Sequence, residues 1–147
     1  MTHASPEIGW PEANARRMTR QGLTEPLSGG IPDIVVAMAG AHAPVMPAAE
    51  LAIGLRMTGI TRSDVRKALW EDRVLIKTYG PRGTVHLLPA RDLSRWIGAL
   101  GAVPTKNPMS SDARLTIDQT NEVVTAIGDI LLDDELTIDE LDLRIVE

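Results

Sequence analysis

The sequence predicts an α+β fold, mainly helical with one small β-hairpin. Apolar residues recur at helical spacing in several segments, and two β-rich runs flank a Gly/Pro turn. Proline, glycine and capping residues punctuate the boundaries between these segments.

Residues 1–12 read as a flexible tail. Asn14 can cap a short helix running through Gln21, which leaves Arg16, Arg17 and Arg20 exposed. Pro26, Ser28, Gly29 and Gly30 mark a loop, and Pro32 suits the first turn of a second helix. In that helix Ile34, Val35, Met38 and Ala39 are apolar, and it should end near Gly40. His42-Ala43-Pro44 is a break, because proline lacks an N–H and drives its predecessor out of the α region. A third helix is predicted from Pro47 to Met57, with Leu51, Ala52 and Leu55 on one face. After the turn Thr58-Gly59-Ile60, Thr61 reads as an N-cap and Asp64 suits the first turn. Val65, Ala68 and Leu69 form the buried stripe of this fourth helix.

The period then changes. Val74 to Tyr79 and Thr84 to Leu88 are β-rich, and Gly80-Pro81-Arg82-Gly83 is the turn between them. Pro89 ends the hairpin, and a helix from Ala90 to Leu100 follows. Helix, tight turn, helix, hairpin is the order of a winged helix-turn-helix, in which the second helix often enters the major groove and the hairpin flanks it. The winged-helix domain spans 13–101, and 102–112 is a linker containing two prolines. Residues 113–147 hold two further helices, Thr116 to Leu132 and Thr137 onward, the latter opened by a Thr137/Glu140 capping box. They are expected to be the start of a second winged helix, apparently truncated, whose exposed apolar surface would favour self-association.

Composition narrows the function. The chain has 147 residues and a formal net charge of −5, with no cysteine, no phenylalanine and four aromatic residues. Disulfides, thiolate metal sites and cysteine nucleophiles are therefore excluded. Met1 to Trp10 lacks the basic start and apolar run of a signal peptide, and no apolar stretch is long enough to span a bilayer. The expected location is cytoplasmic, associated with the nucleoid. Residues 56–96 carry nine cationic side chains against four carboxylates, whereas 107–147 carry two against eleven. A local basic segment can bind phosphate within an acidic chain, although both stretches also suit ordinary solvated faces.

Arg62 and Arg66 are four apart and share a helix face, with Arg73 near its end. The three form either a basic stripe for phosphates or ion pairs with Asp64 and Glu71. Arg82 at the hairpin turn suits a phosphate or a minor groove, or else is an exposed turn arginine. Lys77 can join it from the opposite strand. His42 is either a water-holding residue or a structural loop histidine, and His86 in a strand suits a brace for the hairpin. Trp70 and Trp96 are expected in the core or half-buried. No metal signature, phosphate loop or nucleophilic serine motif is present.

The run Thr61-Arg62-Ser63-Asp64-Val65-Arg66-Lys67-Ala68-Leu69-Trp70 leads to Leu75-Ile76-Lys77-Thr78, then to Arg82-Gly83-Thr84-Val85-His86-Leu87-Leu88-Pro89 and Asp92-Leu93. This pattern resembles the first winged helix of the AlkZ-like DNA glycosylases, whose hairpin reads R-G-T-x-H. The resemblance covers roughly residues 14–147; full-length members are much longer, with three tandem winged helices and a small β-barrel arranged around DNA. It implies a monofunctional glycosylase that needs no cofactor and no metal, releases alkylated purines from double-stranded DNA and, in some members, unhooks interstrand crosslinks. It also implies DNA contact by Arg62, Arg66, Arg73, Lys77, Arg82, Thr84 and His86. The family's catalytic Gln-apolar-Gln falls by position on His42-Ala43-Pro44. A neutral histidine ring can hold a water and take its proton, whereas proline has no polar side chain. The rival readings are a non-enzymatic winged-helix DNA binder or regulator, which Pro44 favours, and a truncated inactive remnant.

Overall fold

The computed structural model describes residues 8–103 and 114–146; most of the predicted tail, 1–7, and most of the predicted linker, 104–112, lie outside them. The chain divides into two compact units, Met1–Pro104 and Thr105–Glu147. Among the described residues no helix is long and apolar enough to cross a membrane.

In the first unit, α1 is Trp10–Arg20. It starts inside the stretch read as tail, capped by Gly9 rather than Asn14, because Pro11 in the first turn forfeits only an N–H that the helix would not use. The loop after it is tied down where the Leu27 N–H donates to the Arg56 carbonyl at 2.8 Å. Helix α2 is Ile31–Ala37 and buries Ile34 and Val35. Helix α3, Met46–Gly54, buries Ala49, Glu50 and Ile53.

Helix α4 is Arg62–Trp70, and its start is as the sequence predicts. The Thr61 hydroxyl accepts from the Asp64 N–H at 3.3 Å, while the Asp64 carboxylate accepts from the Thr61 N–H at 2.8 Å. Thr61→Ala removes one arm of this box and is expected to lower stability by about 1 kcal/mol. A urea midpoint shift at unchanged slope would report it; no shift would mean that water replaces the hydroxyl without loss.

The sheet differs from the predicted hairpin. Strands β2 (Leu75–Tyr79) and β3 (Val85–Pro89) pair antiparallel as expected, but β1 (Ala41–His42) adds a third strand, in the order β1-β3-β2. Ala41 lies opposite Leu87 and His42 opposite His86. The predicted break at 42–44 does end the helical path, yet the chain there is paired: the Ala43 N–H donates to the Val85 carbonyl at 2.8 Å. Gly40, at φ +100°, turns the chain into this strand, and Pro44 favours extended backbone at Ala43. Ala41 and Ala43 alternate inward, a period-2 signal too short to read in sequence. The core joins Val35 of α2, Ile53 of α3, Val65 and Leu69 of α4, and Leu75 and Leu87 of the sheet. A 3₁₀ turn at Ala90–Asp92 precedes α5, Leu93–Gly101.

The second unit holds α6, Ile117–Ile130, and α7, Ile138–Val146, which pack on each other. Thr116/Gln119 and Thr137/Glu140 close capping boxes at their starts. No residue of α6 is buried, and Ile117, Val124, Leu132, Ile138 and Leu143 are exposed.

Candidate nucleic-acid interface

On α3, positions 49, 50 and 53 face inward, so the Glu50 carboxylate is carried into the protein with its neighbours Ala49 and Ile53. Its side chain is only 1% exposed, and a buried carboxylate needs a charge partner. It has two. Arg62 Nε donates to Oε2 at 2.7 Å and Arg66 Nε donates to Oε1 at 2.6 Å. The Arg66 guanidinium, aided by Arg62, holds the Glu50 carboxyl below its ordinary range, against burial, which pushes it up. Both arginines are themselves well exposed, 67% and 52%.

The predicted face-sharing of Arg62 and Arg66 is therefore present, but their acidic partner comes from the neighbouring helix. Asp64 is engaged in the N-cap, and Lys67 pairs with Asp72. Arg73 follows the end of α4, in the left-handed region at φ 51°. Pro47, Leu51, Leu55 and Ile60 line a shallow groove bordered by Glu50 and Arg62.

In the hairpin, Lys77 is exposed on β2, and Arg82 is exposed in the 3₁₀ turn Pro81–Gly83. Arg82 adopts φ 61°, a left-handed conformation uncommon for a residue with a Cβ. The Thr84 hydroxyl donates to the Pro81 carbonyl at 3.1 Å and so braces the turn.

His42 and His86 come together across β1 and β3, with ring centroids 5.1 Å apart and planes tilted by 50°. Their environments differ. His42 is exposed, whereas His86 is 4% exposed. A Cβ on Gly80 would sit 2.9 Å from His86 Nδ1, and one on Gly40 would sit 3.3 Å from its Cδ2, so both glycines make room for the ring. His86 Nδ1 lies 2.7 Å from the Thr84 carbonyl, which can only accept, so Nδ1 carries a hydrogen and donates. The His86 ring is thus enclosed between the two glycines and bonded within the hairpin, the setting of a brace. Among the described residues no three His, Asp or Glu gather to hold a metal ion.

Two features escaped the sequence. Glu50 was not singled out, although a carboxylate on the apolar inward stripe of a helix is a signal that a cationic partner must exist elsewhere. Trp70, expected in the core or half-buried, is 66% exposed, because it is rotated off the Val65, Ala68 and Leu69 stripe.

The first unit is thus an α+β unit that presents paired arginines on one helix and an exposed imidazole on a short strand. The chain belongs to the AlkZ-like DNA glycosylase family, whose model, DNA glycosylase AlkZ-like, matches residues 35–146. It is 30% identical over 142 residues to an interstrand DNA cross-link repair glycosylase of Streptomyces sahachiroi, covering 95% of this chain and 38% of the relative. The solved structure of Streptomyces sahachiroi DNA glycosylase AlkZ matches with a TM-score of 0.79 at 30% identity, over 96% of this chain and 38% of that one. The chain thus spans well under half the length of the relatives it matches.

Proposed function

We propose that this chain binds duplex DNA through a winged helix and takes part in releasing alkylated purines. Helices α3 and α4 are the helix pair, and β2 with β3 is the wing. Arg62, Arg66, Arg73, Lys77, Arg82 and Thr84 are the side chains offered to the phosphate backbone, and His42 is the residue offered to the sugar. The observation that carries this reading is the family match over residues 35–146, which contains every one of these positions. In the reaction, water adds to C1′ as the C1′–N9 bond breaks. The base leaves with that bond's electron pair, and the water's proton passes to the His42 ring. The nucleotide must first leave the base stack, which a damaged base does at less cost.

The test is base release from a duplex carrying one N7-alkylated guanine, together with binding to the same duplex across a salt series. Release and salt-sensitive binding are both expected. Salt-sensitive binding without release would support a second reading, a winged-helix DNA binder without chemistry. Pro44 favours that reading, since it offers no side chain to a water where the family has glutamine. Neither release nor binding would sink both.

A further inference from the structure

We infer that Glu50 is a positioning residue that sets Arg62 and Arg66 into a two-guanidinium clamp for a single phosphodiester of the DNA backbone. The inference rests on the DNA-binding reading and adds the part of that surface which is built in advance. An exposed arginine on a helix ordinarily samples many rotamers, and it loses that freedom when it binds phosphate. Here both Nε atoms are fixed to the two oxygens of one buried carboxylate, at 2.7 and 2.6 Å. Among the described residues, neither guanidinium has a partner other than Glu50. Their terminal Nη groups are left to donate, and a guanidinium fork matches the spacing of two phosphate oxygens. Two cations against one anion leave a local surplus of one positive charge. The carboxylate also screens the repulsion that would otherwise part the two arginines. Glu50 itself is too deeply buried to meet the ligand, so its effect passes through the arginines.

A charge-only account and a clamp make opposite predictions for Glu50→Gln. Removing a negative charge beside a DNA-binding surface should tighten binding. Loosening a clamp should weaken it. The experiment is equilibrium binding of a duplex oligonucleotide across a salt series by wild type, Glu50→Gln and the double variant Arg62→Lys/Arg66→Lys. Glu50→Gln is expected to bind about tenfold more weakly at fixed salt, as expected when charge-assisted phosphate contacts lose their alignment. The double lysine variant keeps the charges and hence the salt slope, and should also lose affinity. It keeps two cations beside Glu50, so it decides the matter even if the glutamine variant does not fold. Equal or tighter binding by Glu50→Gln, with an unchanged double lysine variant, overturns the clamp.

Inorganic phosphate titrated into nitrogen-15-labelled wild type separates this failure from failure of the DNA reading. Shifts of the Arg62 and Arg66 Nε–H resonances without duplex binding would keep the clamp and remove DNA as its ligand. Shifts with a glutamate-rich peptide and none with phosphate would overturn the phosphodiester and assign an acidic protein partner.

Discussion

Replacing Arg62 and Arg66 together by methionine is expected to destabilise the protein by about 3 kcal/mol at neutral pH, because it strands a buried carboxylate without a partner. The cost is asymmetric. Glu50→Gln leaves two exposed guanidiniums that water can solvate, so its effect on stability should be much smaller. The dependence on pH should also reverse between the two proteins. In the wild type the arginines hold the Glu50 carboxyl below its ordinary value of 4.5. A depressed carboxylate contributes stability that is present above its unfolded pKa and is lost as pH falls through the folded one. In the double methionine variant only burial remains, and burial raises the carboxyl. The variant should therefore be weakest at neutral pH and recover part of its deficit on acidification, as Glu50 takes up a proton. Urea denaturation at neutral pH and near pH 4 reads both effects. A deficit below about 0.5 kcal/mol, the size of a surface ion pair, would show that Glu50 is solvated in solution.

His42→Ala is expected to slow release of an N7-alkylated guanine by about a hundredfold, the lower end of what one general base contributes. Duplex affinity should be nearly unchanged, since His42 stands on β1, apart from the Arg62–Glu50–Arg66 cluster on α3 and α4. Single-turnover base release, with affinity measured on the same duplex, separates the two quantities. Release at the wild-type rate would take His42 out of the chemistry. His42→Gln/Pro44→Gln restores the family's pair, and a gain of release in that variant would mark the natural 42–44 sequence as a weakened site. The structure gives this substitution a defined setting. Residue 42 projects from a strand whose neighbours Ala41 and Ala43 are buried, so a side chain there changes without disturbing the core.

The buried partner of that row shows how much of the hairpin motif is architectural. In Arg82-Gly83-Thr84-Val85-His86, the threonine hydroxyl closes the turn onto Pro81, and the threonine carbonyl accepts a hydrogen bond from His86 Nδ1–H. Only Arg82 in this stretch presents an exposed charge. A motif that reads in sequence as a string of DNA contacts also closes its own turn: the Thr84 hydroxyl and carbonyl and the His86 ring bond within the hairpin, while the Arg82 side chain is exposed at its tip.

What the sequence determined by itself was local. The starts at Thr61 and Thr137 were legible because each capping box closes within three residues, whereas the Thr116/Gln119 box emerged only in the structure. Strands β2 and β3 were legible because a proline-and-glycine turn separates two β-rich runs. The positions of Arg62 and Arg66 on one face followed from helical period alone. Tertiary structure decided the rest. A two-residue strand has no period to detect, and β1 exists only because β3 offers it carbonyls and N–H groups more than forty residues away. The partner of Arg62 and Arg66 lies on another helix, 12 and 16 residues back, where no spacing rule reaches. His86 is buried because Gly40 and Gly80, far apart in the chain, both lack the atom that would exclude its ring. Caps and periods are energies of neighbours along the chain, whereas the burial of a charge or a ring depends on which distant segments close over it.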